Sequence, residues 1–83
     1  DGALIGTAEK ASIRLTDSST SRIHARLRVA GGLVFVADLG SEAGTKLAGR
    51  SLHPGEEMEW HSNHTLNIGK DISLRWFPVG GSR

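Results

Sequence analysis

The chain has 83 residues, 37% of them hydrophobic, with ten basic and nine acidic side chains and a formal charge of +1. That suffices for one domain and not for two, and the near-even charge gives no general pull towards nucleic acid or membrane. With no Cys, a disulfide scaffold, a Cys-ligated zinc site and thiol catalysis are excluded. The longest uncharged apolar run, residues 29–37, is far too short to cross a bilayer. Asp1-Gly2-Ala3 opens without the basic and apolar signature of an export signal, so a cytoplasmic or other intracellular setting is expected.

In chain order, the predicted elements are strands. Short β segments are expected at 3–5 and 12–15. Ile23, Ala25, Leu27 and Val29 then alternate with His24, Arg26 and Arg28, which puts the two sets on opposite faces. Ala30-Gly31-Gly32 reads as a tight turn into the apolar strand 33–38, making a hairpin. Further strands are expected at 45–48, at Met58 and Trp60 between glutamates, at Leu66 and Ile68, and at Ile72, Leu74 and Trp76. Gly- and Asn-bearing turns, Gly49-Arg50 among them, separate these strands. No window carries the i, i+3, i+4, i+7 apolar spacing of a helix through three turns. An all-β sandwich or small barrel follows. The domain is expected over 1–79, with 80–83 a flexible tail or a remnant of cloning.

Three loops are more polar than turning requires: Gly6-Thr7-Ala8-Glu9-Lys10, residues 18–22 leading into His24, and residues 38–45 leading into Lys46. A phosphate dianion carries about −1.5 to −2 charges and needs a hydroxyl donor, backbone N–H groups and a cation. Ser21 and Arg22 supply the first and last of these. Read as blocks, Ile5-Gly6, Ile13-x-Leu15, Ser21-Arg22-Ile23-His24-Ala25, Asp38-Leu39-Gly40-Ser41-x-x-Gly44-Thr45 and Asn63 to Gly69 resemble the forkhead-associated (FHA) domain, and the resemblance covers nearly the whole chain. It implies an FHA-like β-sandwich of short, mainly antiparallel strands, with one or more N-terminal strands missing. It also implies a non-catalytic protein–protein interaction module that recognises phosphothreonine peptides. Ser21, Arg22, Lys10, Ser41, Thr45 and Lys46 are then the candidate phosphopeptide-binding residues. Gly6, His24 and Gly44 are candidate supports of the loops.

Three positions depart from the family pattern. Thr7 stands where the family usually has a phosphate-binding Arg, Ala43 where it has an Asn that holds the peptide backbone, and Glu42 where Ser or Thr is common. A lost charge-assisted bond costs roughly 1.5–3 kcal/mol and a neutral one about 1 kcal/mol. With carboxylate repulsion discounted for screening, the sum of about 3 kcal/mol corresponds to roughly a hundredfold in affinity. Weakened phosphothreonine binding is therefore expected, with Lys10 as a substitute cation. The alternative is a phosphate-independent assembly domain that uses a sheet face or an open edge, including self-association at an edge left by a missing first strand.

Other chemistry is not expected. Gly40-Ser41 lacks the five-residue Gly-x-Ser-x-Gly context of a nucleophile elbow. His61 and His64 have no third ligand, so no metal or cofactor is expected. Arg14, Arg26 and Arg28 read as a solvated sheet face partly balanced by Glu56, Glu57 and Glu59, which argues against nucleic-acid binding.

Overall fold

The structure is a computed structural model, which describes residues 2–78. Within them the chain forms nine strands and no helix: β1 (Gly2–Gly6), β2 (Ile13–Arg14), β3 (Ala25–Ala30), β4 (Leu33–Asp38), β5 (Thr45–Leu47), β6 (Arg50–Ser51), β7 (Glu57–Glu59), β8 (Leu66–Ile68) and β9 (Ile72–Leu74). The expected tail over 80–83 lies outside the described residues.

The strands make two sheets, ordered β2-β1-β3-β4-β7 and β6-β5-β8-β9. Every pairing between strands is antiparallel except β1 with β2. The β3–β4 hairpin has the expected register, with Leu27 opposite Val36 and Ala30 opposite Leu33. Gly31 and Gly32, at φ 58° and 79°, close it as a two-residue turn of the primed type, whose twist matches that of the strands.

Period-two alternation decides which residues meet between the layers. Ile5, Ala25 and Val36 project inward from one sheet, and Leu47, Leu66 and Ile68 from the other. Trp60 packs among them, and all seven are buried. Trp60 donates its indole N–H to the His64 carbonyl, and Trp76 donates to the Trp60 carbonyl at 2.8 Å. Both rings therefore enter the core with their polar edge satisfied.

Two expectations change. β6 falls where a turn was read, because the turn sits one residue earlier, at Ala48-Gly49, with Ala48 itself in the left-handed region at φ 52°. The first strand, moreover, leaves no open edge of its own: β1 is flanked by β2 on one side and β3 on the other. Strands with one neighbour are β2, β7, β6 and β9.

Candidate functional site

At one end of the sandwich the three polar loops are locked together by main-chain and imidazole contacts. Gly6 ends β1 directly against the 21–22 segment: a Cβ there would lie 2.0 Å from the Arg22 carbonyl oxygen. Beyond it, Thr7 and Ala8 donate their N–H groups to the Ser21 and Arg22 carbonyls, both at 3.1 Å. The first loop is thus docked on the second by backbone alone.

His24 joins the second loop to the third. It is fully buried, although alternation alone would turn it away from the Ala25 face, because the chain before β3 is not yet regular strand. The Ser21 N–H donates to its Nδ1 at 3.0 Å, and its Nε2 lies 2.8 Å from the Gly44 carbonyl oxygen. With Nδ1 accepting from Ser21, the geometry assigns Nε2 as the donor to the Gly44 carbonyl.

Asp38, at the end of β4, holds the third loop from below. It is 2% exposed and accepts four hydrogen bonds: from the Gly40 and Ser41 N–H groups and from the Ser41 and Thr45 hydroxyls. Burial pushes its carboxyl upward, but the bonds from Ser41, Thr45 and Gly40 outweigh this and hold it below the ordinary aspartate value. The Ser41 oxygen also accepts from the Gly44 N–H at 3.1 Å.

The expected binding residues therefore divide. Ser21 and Arg22 are at the rim. The Ser21 oxygen accepts the Glu42 N–H at 3.0 Å, which leaves the serine's own O–H free to donate outward. Arg22 is exposed. Ser41 and Thr45 turn their hydroxyls inward to Asp38, and Thr45 is 1% exposed; both brace the loop. Lys46 is exposed on the outer face of β5, opposite Ser51 and Asn67, because it alternates with the inward-facing Thr45 and Leu47. Lys10 is exposed within the turn that the Ala11 N–H closes on the Ala8 carbonyl. Gly6, His24 and Gly44 are the structural joints of the three loops.

Two residues without an expected role stand close to the site. Arg14 donates its Nε–H to the Thr7 carbonyl at 3.3 Å, bringing a guanidinium beside the position where the family pattern has Arg. Lys70, in the β8–β9 turn, lines an open hollow of about 450 Å³ together with residues 18–21, Glu42 and Ala43. Nothing local in the sequence signals either contact, since each spans a strand pairing. A second hollow of about 440 Å³, walled by Leu47, Leu52 and Met58 with His53, His61 and His64 nearby, is lined by none of the clamp residues. The His61 and His64 rings there meet edge to face at 5.4 Å. Among the described residues no group of three or more His, Asp or Glu is placed to hold a metal ion.

Arg28, expected on a basic face, is instead paired. Its guanidinium makes two bonds to the Glu57 carboxylate, at 2.7 and 2.8 Å, and stacks 4.6 Å from the centre of the Phe35 ring. The paired carboxylate raises the guanidinium above its ordinary value and is itself lowered.

The sandwich, the three joined loops and the sequence blocks agree with a family model, that of the FHA domain, which matches residues 3–69. The chain belongs to the FHA domain family. The family is known for phosphothreonine-peptide recognition in protein–protein interaction, and its members are non-catalytic. Among solved structures, this FHA domain is similar to that of the FhaA protein, complexed with the intracellular domain of Rv3910. That match has 28% identity and a TM-score of 0.74, covering 82% of this chain and 71% of the other. It is also similar to the FHA domain of the CT664 protein from Chlamydia trachomatis, with 28% identity and a TM-score of 0.76, covering 83% of this chain and 68% of the other. The N-terminal FHA domain of Rad53p from S. cerevisiae, in complex with a phosphothreonine peptide, shares the fold at 18% identity and a TM-score of 0.76, over 87% of this chain and 59% of the other. No curated protein matches the chain. Among the described residues no helix is long and apolar enough to cross a membrane.

Proposed function

We propose that this FHA domain is a phosphopeptide-reading interaction module whose affinity for phosphothreonine is lower than its scaffold would support. The observation that carries the reading is the His24 clamp, which ties the Ser21 loop to the Gly44 loop and leaves the Ser21 O–H without an acceptor, next in sequence to the exposed Arg22. An oxyanion at this rim meets a hydroxyl donor and a cation, the pair that charge-assisted recognition needs. Thr7 supplies no charge where the family pattern has Arg. Glu42 is exposed at the same rim, with its own N–H on Ser21, so its carboxylate is close to any bound phosphate. With Ala43 in place of the Asn that holds the peptide backbone, the three features lower affinity by roughly a hundredfold in sum. An intracellular setting goes with this reading.

The test is a titration of the domain with a degenerate phosphothreonine peptide pool and its unphosphorylated twin. Weak, phosphate-dependent binding is expected, and Thr7→Arg combined with Ala43→Asn should strengthen it by at least tenfold. Binding that is indifferent to phosphorylation, with no gain in the double variant, overturns the reading.

A second reading, phosphate-independent assembly through a sheet edge, rests on the four strands that have one neighbour. An unpaired edge offers N–H and C=O groups to another strand. It requires concentration-dependent mass in light scattering without any phosphopeptide; a monomer at every concentration removes self-association.

A further inference from the structure

The loop expected to supply a substitute cation is the first, through Lys10, yet the structure holds a lysine more firmly against the serine loop from another direction. The β8–β9 turn is pressed onto residue 19: a Cβ on Gly69, which has φ 65°, would lie 2.6 Å from the Ser19 carbonyl oxygen. The Gly69 N–H donates to the Gly44 carbonyl at 3.0 Å, and the Lys70 N–H donates to Ser19 Oγ at 2.9 Å. Ser19 is itself held by Asp17, through its N–H and its hydroxyl. The turn is thereby fixed to both recognition loops at once, and the Lys70 main chain cannot shift without breaking these contacts.

What this fixed turn faces is a hollow floored by hydroxyls. Lys70 is the one cation among its lining residues, and Ser18, Ser19, Thr20 and Ser21 form the facing wall. Thr20 is 7% exposed, and its hydroxyl is the one buried side-chain polar atom among the described residues without a hydrogen-bond partner.

We infer that the phosphate of a bound phosphothreonine peptide is gripped between Ser21 and Lys70, at the edge of the hollow, while Thr7 leaves the first-loop side of the phosphate without a charge. Lys70 is the compensating cation of a domain that lacks the first-loop Arg, and Ser21 is the hydroxyl donor. Glu42 and Asp71 also line the hollow, so they weaken the grip on the phosphate and disfavour a second acidic group on the peptide further. The inference rests on the phosphopeptide reading above and specifies where within it the charge is met.

The experiment is a 15N-resolved titration of the whole chain with the degenerate phosphothreonine peptide pool and its unphosphorylated twin. It is repeated on Lys70→Ala, Lys70→Arg, Lys10→Ala and Arg14→Ala, each first shown by its spectrum to be folded. Phosphate-dependent shifts at Ser19, Thr20, Ser21 and Lys70 are expected. Affinity should fall about tenfold to a hundredfold in Lys70→Ala, with retention in Lys70→Arg and little change in Lys10→Ala. Phosphate-dependent binding that survives Lys70→Ala but falls in Lys10→Ala or Arg14→Ala overturns the Lys70 assignment and leaves the phosphopeptide reading standing. No phosphate-dependent shift in any protein overturns both.

Discussion

The Nε2 of His24 lies 2.8 Å from the carbonyl oxygen of Gly44, twenty residues further along the chain, and this one bond carries the ring from the serine loop to the glycine loop. Its other nitrogen accepts the Ser21 N–H. His24→Ala would remove both bonds and leave a gap where a fully buried ring stands. Gly44 would keep its bond from Gly69, but Ser21 would keep none for its N–H. A loss of about 3 kcal/mol is expected in urea unfolding, together with loss of phosphopeptide binding. Nitrogen chemical shifts should show the ring proton on Nε2. A proton on Nδ1 would contradict the clamp, because that nitrogen could no longer accept.

Gly6 is a second joint, and its requirement is space. Gly6→Ala would place a methyl group into the Arg22 carbonyl, where the nearest atoms are all backbone of residues 21–22 and no flexible side chain is there to yield. A loss of about 1–3 kcal/mol or more is expected, since the first loop must lift from the second. Amide shifts should concentrate at Thr7, Ala8, Ser21 and Arg22. Unaltered stability with an unaltered spectrum at these four residues would show that the loops are not docked as described.

Asp38 makes the fold sensitive to acid. Its carboxyl is held below the ordinary aspartate value, so its stabilising contribution is fully present above the unfolded value of about pH 3.9 and is lost as pH falls through the lower folded value. Glu57, also lowered by its pairing with Arg28, acts in the same direction. The contribution of these two carboxyls to the urea midpoint should therefore hold steady from neutral pH to about pH 5 and fall steeply below pH 4. Asp38→Asn should start from a lower midpoint and flatten the acid limb, because an amide offers NH₂ donors to groups that themselves donate. An equally steep acid limb in Asp38→Asn would assign the effect elsewhere.

Most strand segments and the β3–β4 hairpin were legible because alternation is a local property. Arg26 and Arg28 on one side of a run and Ala25 and Leu27 on the other fix which face is turned inward before any partner strand is known, whereas His24 is buried against that alternation and Val29, near the hairpin turn, is exposed. The glycine turns were legible for the same reason, apart from the one-residue displacement at Ala48-Gly49 that hid β6. Ser41, Thr45 and Lys46 show where local reading stops. Their residue types suit a phosphate, but Asp38 draws the two hydroxyls inward and the strand period turns Lys46 to the outer face. A motif supplies candidate donors without saying which are already bonded.

From the sequence came the helix-free sandwich, the FHA blocks and the three departures at Thr7, Glu42 and Ala43, since short-range periodicity and residue type suffice for each. Only the tertiary structure decided that Arg14 stands beside Thr7, that Asp38 is the buried support of the third loop, and that Lys70 is the cation facing the serine wall. These contacts join segments as far as 51 residues apart. Their geometry is set by how two sheets pack and how the turns at one end dock, which is a property of the assembled layers and not of any single strand.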